Sequence, residues 1–282
     1  GGVFLDTVLY IVGIILLLYF LATKIPGGVH KRRINREVKK LKDLQDRSRE
    51  GEIEKKDIAH LPEIVQKWLI KSNVVGSQWK TSVHIKQKGQ MRLDPDSEKW
   101  IFASATQVVG LTEPSFVWQV KAEVKPFIYV HGADSYLDGV GSLQMRLLNL
   151  FKVANEKGGP KINQSSFQRY LLELPWYPQA ALNRNMKWKQ IDKHTARVVM
   201  NHRGVPGEAY LRFDDEGDVV YTSAMRFKDT DDKAELMECI GESKEINLMD
   251  GIRMPITVHV TWRLPEKLYT WFKVQIFKLE YK

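Results

Sequence analysis

Three hydrophobic periods follow one another along this chain. Residues 3 to 23, VFLDTVLYIVGIILLLYFLAT, are apolar all round, with Asp6 as the one charged position. About 20 such residues suffice for a helix to cross the hydrocarbon core of a bilayer, so the run predicts a transmembrane helix. A core helix would show a polar face. A cleaved signal peptide would carry a basic segment before the run and a small-x-small site after it, and neither is present. Next, Ile34, Val38, Leu41 and Leu44 recur at helical spacing inside a basic segment. Then HLPEIVQKWLIKSNVVG sets Leu61, Ile64, Val65, Trp68 and Leu69 on the stripe of an amphipathic helix. Pro62 suits its first turn, and Asn73 and Gly76 suit its end.

From Trp79 the period drops to two. In TSVHIKQKGQMRL, Val83, Ile85, Met91 and Leu93 alternate with His84, Lys86, Lys88 and Arg92, the pattern of a half-solvated antiparallel strand. KWIFASATQVV, SFVWQVKAEV and PFIYVHG continue it, and KWKQID, TARVVMNHR, GEAYLRFDD, DVVYTSAMRFKD, ITVHVTWRL and FKVQIFKLEYK follow later. The turn DDEGD joins two of these as a hairpin. Helices are expected at MRLLNLFKVAN and over 165–175. The pattern predicts an α+β fold: a strongly curved antiparallel sheet of about ten strands, a half-barrel packed around a few helices and preceded by one transmembrane helix. The expected organisation is a span at 3–23, a basic juxtamembrane helix and linker at 24–56, and a β-rich domain at 57–282.

Charge changes this picture mainly by its position. The 282 residues carry a formal net charge of +9, and residues 24–42 hold +7 of it. A nucleic-acid-binding domain keeps its basic charge on the fold, so no nucleic-acid partner is expected. The cluster directly follows the apolar run. By the positive-inside rule the chain beyond it then lies in the cytoplasm, at the cell membrane; an extracytoplasmic location stays open. Lys31, Arg32, Arg33, Arg36, Lys39 and Lys40 are the candidate membrane-surface residues, facing anionic head groups. A solvated stalk or a self-associating helix is the alternative for this segment. A single cysteine, Cys239, excludes an intrachain disulfide framework.

The chain has no nucleophile elbow, Walker loop or zinc-protease motif, and no catalytic residue, metal site or cofactor is expected. DGVGS lacks the strand–loop–helix setting of a phosphate cradle and reads as a turn. Asp134 and Asp138 are spaced wrongly for a calcium loop. His194 and His202 are read as a solvent-facing pair without a third metal ligand. Cys239 has an acidic neighbour, Glu238, which disfavours a thiolate. Arg169 and Glu173 share a helix face. They form either a structural ion pair, at the surface or half-buried, or a polar group at the rim of a cavity. Trp176 and Tyr177 lie between Pro175 and Pro178 and either close a core or line an opening. Trp118 and Tyr136 complete the candidate ligand-binding set.

Several blocks occur in one order: LPEIVQKWLIKSNVVG, VHIKQKGQMRL, PSFVWQV, DSYLDGVGSLQMRLLNLFKVA, FQRYLLELPWYPQAAL, WKQIDKHTARVV, LRFDDEGDVVYTSAMR and MPITVHVTWRLP. In this the chain resembles an uncharacterised bacterial family of single-pass, membrane-anchored β-rich proteins, over about residues 60 to 282. Pro175 departs from the family pattern, which implies an earlier helix end. At the level of fold, the pattern is distantly similar to the half-barrel lipoprotein carriers of the LolA/LolB type, which shelter acyl chains. The resemblance implies a membrane-anchored protein that binds or handles a lipid or other hydrophobic ligand, with membrane lipids as partners. Two alternatives stand beside it: an enzyme acting on a membrane-associated substrate through Glu173 and Arg169, with Asp134 as a further candidate, and a non-catalytic scaffold of a membrane-protein complex.

Overall fold

The computed structural model describes residues 13–14, 28, 30–126, 128–148 and 151–282. Residues 13 and 14 are helical, and further along the described residues lie the α-helices α1 (30–43), α2 (Lys55–Ile58), α3 (Glu63–Lys71) and α4 (Pro160–Leu172). The strands are β1 (Ser82–Met91), β2 (Ile101–Gly110), β3 (Ser115–Lys125), β4 (Ile128–Leu137), β5 (Val140–Leu147) and β6 (Phe151–Lys157) before α4. After it come β7 (Lys187–Gln190), β8 (Thr195–His202), β9 (Val205–Phe213), β10 (Val219–Phe227), β11 (Leu236–Met249), β12 (Ile252–Arg263) and β13 (Leu268–Tyr281). All thirteen form one antiparallel sheet in the order β6-β5-β4-β3-β2-β1-β13-β12-β11-β10-β9-β8-β7. The N-terminal and C-terminal meanders join where β1 pairs with β13.

This overturns the expected fold. The sheet has thirteen strands rather than about ten, and β6 and β7 end it as edges instead of closing or halving a barrel. Among the described residues no helix is long and apolar enough to cross a membrane. Apart from residues 13 and 14, the expected span at 3–23 lies outside the described residues. Of the segment 145–155, expected as a helix, residues 145–147 belong to strand β5 and 151–155 to strand β6.

The sheet curls around α4. That helix contacts β4 and β5 on one limb and β9 and β10 on the other. In a flat sheet, strands about 4.8 Å apart would put β5 and β9 more than about 40 Å from each other. Glycine permits the closest approach on each limb. A Cβ at Gly141 would lie 2.6 Å from Ile162 O, and one at Gly207 would lie 2.5 Å from Phe167. Gly159 and Pro160 start α4, and Pro175 ends the helical run, so α4 stops at Leu172 and gives way to the 3₁₀ turns Leu174–Trp176 and Pro178–Leu182. α3 packs into the same concave core, where Trp68 meets Trp188 and Phe213.

α1 lies on the opposite, convex face. Ile34 and Leu41, with Val38, pack against Val117, Ala133 and Leu137 of β3 and β4. Gln45 anchors the end of the helix. Its Nε2 donates to Leu41 O and Ser115 Oγ, and its Oε1 accepts from the backbone N–H groups of Thr112 and Glu113. The apolar stripe of this basic helix is therefore covered by the protein's own sheet.

Candidate functional site

Cross-strand register builds the site on the concave face. Gln107, Trp118, Asp134 and Leu143 stand opposite one another across β2, β3, β4 and β5, and directly opposed residues point to the same side of a sheet. α4 lowers Arg169 and Glu173 onto this row. Arg169 Nη1 donates to Asp134 Oδ2 and Arg169 Nε to Glu173 Oε1, both at 2.7 Å. Gln107 Nε2 donates to Glu173 Oε2 at 2.6 Å, Gln87 Nε2 to Gln107 Oε1 at 3.3 Å, and Trp118 Nε1 to Gln87 Oε1 at 2.9 Å. The guanidinium carbon of Arg169 sits 4.7 Å from the Trp118 ring centroid and 4.9 Å from that of Phe116.

This network forms the deep end of a cavity of about 440 Å³. Its walls come from β1, β3–β5, β10–β13 and α4, and are mainly apolar: Met91, Val120, Leu143, Val258, Trp262 and Phe272 among others. Leu93 and Asp229 are exposed lining residues and mark its mouth. Burial pushes the Asp134 carboxyl above the usual carboxylate range, against the pull of Arg169 and Arg226. Arg169 is held firmly protonated: burial opposes its charge, and Glu173 and Asp134 outweigh that. Cys239 also lines the cavity, and burial pushes its thiol up.

The candidate residues from the sequence divide. Arg169, Glu173, Trp118 and Trp176 line the cavity, joined by Asp134. Tyr177 does not: it is fully buried and donates to Tyr170 O at 2.8 Å, so it closes the core while its neighbour Trp176 lines the cavity. Tyr136 is fully buried in the same core but does not line the cavity, stacked on Phe167 and 2.8 Å from His202 Nδ1. His202, expected at the surface, is 4% exposed and pairs with Glu113 at 2.8 Å. Its presumed companion His194 lies apart beside Asp215. No group of metal-ligating side chains occurs among the described residues. On α1, Lys31, Arg32, Arg36, Lys39 and Lys40 are exposed, while Arg33 is half-buried near Glu37.

Sequence reasoning missed Gln87, Gln107 and Met91. The two glutamines sit on the apolar face of otherwise regular strands, and a polar residue out of phase in an alternating pattern was the signal for them.

Residues 59–281 match a family described as "Family of unknown function (DUF6920)", and the chain belongs to that family. No curated protein matches the sequence. Among solved structures, the dehydratase domain from the CurF module of curacin polyketide synthase aligns over 76% of this chain and 80% of its own. Its identity is 10% and its TM-score 0.19, too low to support any argument about fold or activity.

Proposed function

We propose that the protein binds a lipid or another hydrophobic ligand in its concave cavity, and does so at a membrane surface. The observation that carries this reading is the cavity: about 440 Å³, apolar in most of its lining, with a few convergent polar groups. Sites for one small ligand span roughly 300–1,000 Å³ and have this make-up. The surface around the mouth supports the membrane setting. Leu93, Phe102, Phe151 and Leu268 stand exposed at the strand ends on that side. On the convex face, Lys121, His131 and Arg146 are directly opposed across β3, β4 and β5. Lys121 and Arg146 carry like charges on either side of His131, whose pKa burial and Lys121 push down, and these two cations suit an anionic surface. His30 of α1 lies near them and adds no charge at neutral pH, its pKa pushed down to about 4 by burial and by Arg33, Arg146 and His131.

Native mass spectrometry of the purified protein, with lipid extraction, tests the ligand. A co-purified amphiphile, or one taken up when offered, is expected; the absence of both would end this reading. Flotation with phosphatidylglycerol vesicles against neutral ones tests the surface, with salt-sensitive binding to the anionic vesicles expected. The proposed location is the cytoplasmic face of the cell membrane. Cys239 is buried, so a cysteine introduced at exposed Lys189 reports topology cleanly. In intact cells it should resist an impermeant thiol reagent.

One observation favours a second reading, an enzyme acting on a membrane-associated substrate. Asp134 is a cavity-lining carboxyl with a raised pKa, a property of general acids. Under that reading Asp134→Asn abolishes turnover while ligand binding persists.

A further inference from the structure

The mouth of the cavity contains two buried hydrogen-bond donors with nothing to donate to. Arg92 directly follows β1, and its backbone N–H donates to Trp271 O at 2.8 Å. That bond brings the two residues together, and both side chains line the cavity. Arg92 Nε and Trp271 Nε1 are each buried without a partner among the described residues. The Arg92 guanidinium lies 5.0 Å from the Tyr269 ring centroid and 5.3 Å from that of Trp100. Its ion pair with Glu98 is long, at 4.0 Å, and Glu98 is 99% exposed. Water screens such a pair strongly.

Charge points the same way. At the deep end Arg169 holds Asp134 and Glu173, and Arg226 acts on Asp134 from nearby. At the mouth Lys228 pairs with Asp229 at 3.1 Å. Among the lining cations Arg226 has no ion pair within 4.0 Å among the described residues but donates to Ser165 O and Cys239 Sγ, whereas Arg92 has only its long pair with exposed Glu98. The deep polar groups already satisfy one another, from Asp134 through Arg169, Glu173, Gln107 and Gln87 to Trp118. They have little need of a ligand head group. The unmet donors are at the opening.

We propose that Arg92 and Trp271 form a head-group clamp for a monoanionic amphiphile whose apolar chain runs inward toward Trp118 and Trp176. Guanidinium and indole N–H groups only donate, and the oxygens of a carboxylate or phosphodiester only accept. The clamp rests on the cavity reading. A fatty acid and a phospholipid with one net negative charge share the required chemistry.

The test is equilibrium binding of three probes to the purified full chain: hexadecanoate, hexadecanol, and a lysophosphatidylglycerol with the same acyl chain. At least one anion should bind about tenfold tighter than the alcohol, as expected for a charge-assisted hydrogen bond. The preferred anion identifies the source. Arg92→Gln should bring the anions down to the affinity of hexadecanol in the same variant, and Trp271→Phe should reduce the preference severalfold. Equal binding of anions and alcohol overturns the clamp and leaves the cavity reading intact, as does a preference undiminished in Arg92→Gln. Binding of none of the three overturns both. If Arg92→Gln also loses hexadecanol, it has misfolded, and Trp271→Phe alone decides: an unchanged preference there overturns the clamp.

Discussion

Tyr136 Oη lies 2.8 Å from His202 Nδ1, although eight strands separate β4 from β8 in the sheet. Flat, the two strands would be on the order of 40 Å apart. The contact therefore marks where the two limbs of the sheet meet beyond α4. Glu113 accepts from the other side of the imidazole, and Phe167 of α4 stacks on Tyr136. Tyr136→Phe keeps the ring and leaves His202 Nδ1 without its buried partner. It should cost about 1–3 kcal/mol, read as a lower urea midpoint at unchanged slope.

Asp218, just before β10, ties two further elements together. Arg253 of β12 donates to both of its oxygens, at 2.9 and 2.7 Å, and Lys71 of α3 lies 2.9 Å away. Burial works against the charged carboxylate, but these hydrogen bonds outweigh it and hold the pKa below the ordinary 3.8. A depressed folded pKa contributes stability that is present above the unfolded value and lost as pH falls through the folded one. Wild-type stability should thus drop as pH falls below 3.8. In Asp218→Asn stability should be lower near neutrality and the acid-side decline shallower, as followed by thermal melts across pH.

How much of this was legible in the sequence depended on how cleanly each segment alternated. Strands such as β1 and β2 bury every second residue, and their pattern shows it. β11 does not: Cys239 and Ile240 are buried side by side, charges fall on both faces, and two register shifts interrupt its pairing with β12. β5 and β6 read as a helix because Met145, Leu147, Leu148 and Phe151 fall near helical spacing; the structure turns at Leu148 with φ 52°. The Arg169–Glu173 pair was visible as a helix-face pair. Its link to Asp134 was not, because only the packing of α4 back onto β4 and β5 brings a residue 35 positions away to 2.7 Å. The stripe of α1 was visible too. That it covers Val117 and Ala133 rather than a membrane is a tertiary fact with no local signal.

Arg169 binds two carboxylates, and its side chain and theirs are each at most 15% exposed. Arg169→Met leaves both acids buried without their main counterion. Removing one partner from a buried ion pair costs about 3–5 kcal/mol, because the remaining charge stays desolvated. Denaturant unfolding should show a loss of this size. Replacing Asp134 and Glu173 by leucine in the same chain should recover much of it, since an apolar group in that place carries no stranded charge. Without such recovery, the cost lies in the stacking of Arg169 on Trp118 and Phe116.

Val258 offers a way to separate the cavity from the stability of the fold. It lies in β12, is 8% exposed, and lines the open space. In a packed core a larger side chain costs about 1–3 kcal/mol through strain. Into an existing void the same change is neutral, or stabilises by about 0.5–2 kcal/mol. Val258→Phe should therefore unfold at an equal or higher denaturant midpoint and bind hexadecanol at least about tenfold more weakly, the loss of roughly 1.4 kcal/mol expected when a chain must give up that volume. The two readouts move in opposite directions only if the space is real and the ligand uses it. A destabilised variant would mean that the side chain meets protein instead of a void. A stabilised variant with undiminished binding would move the ligand to another surface of the molecule.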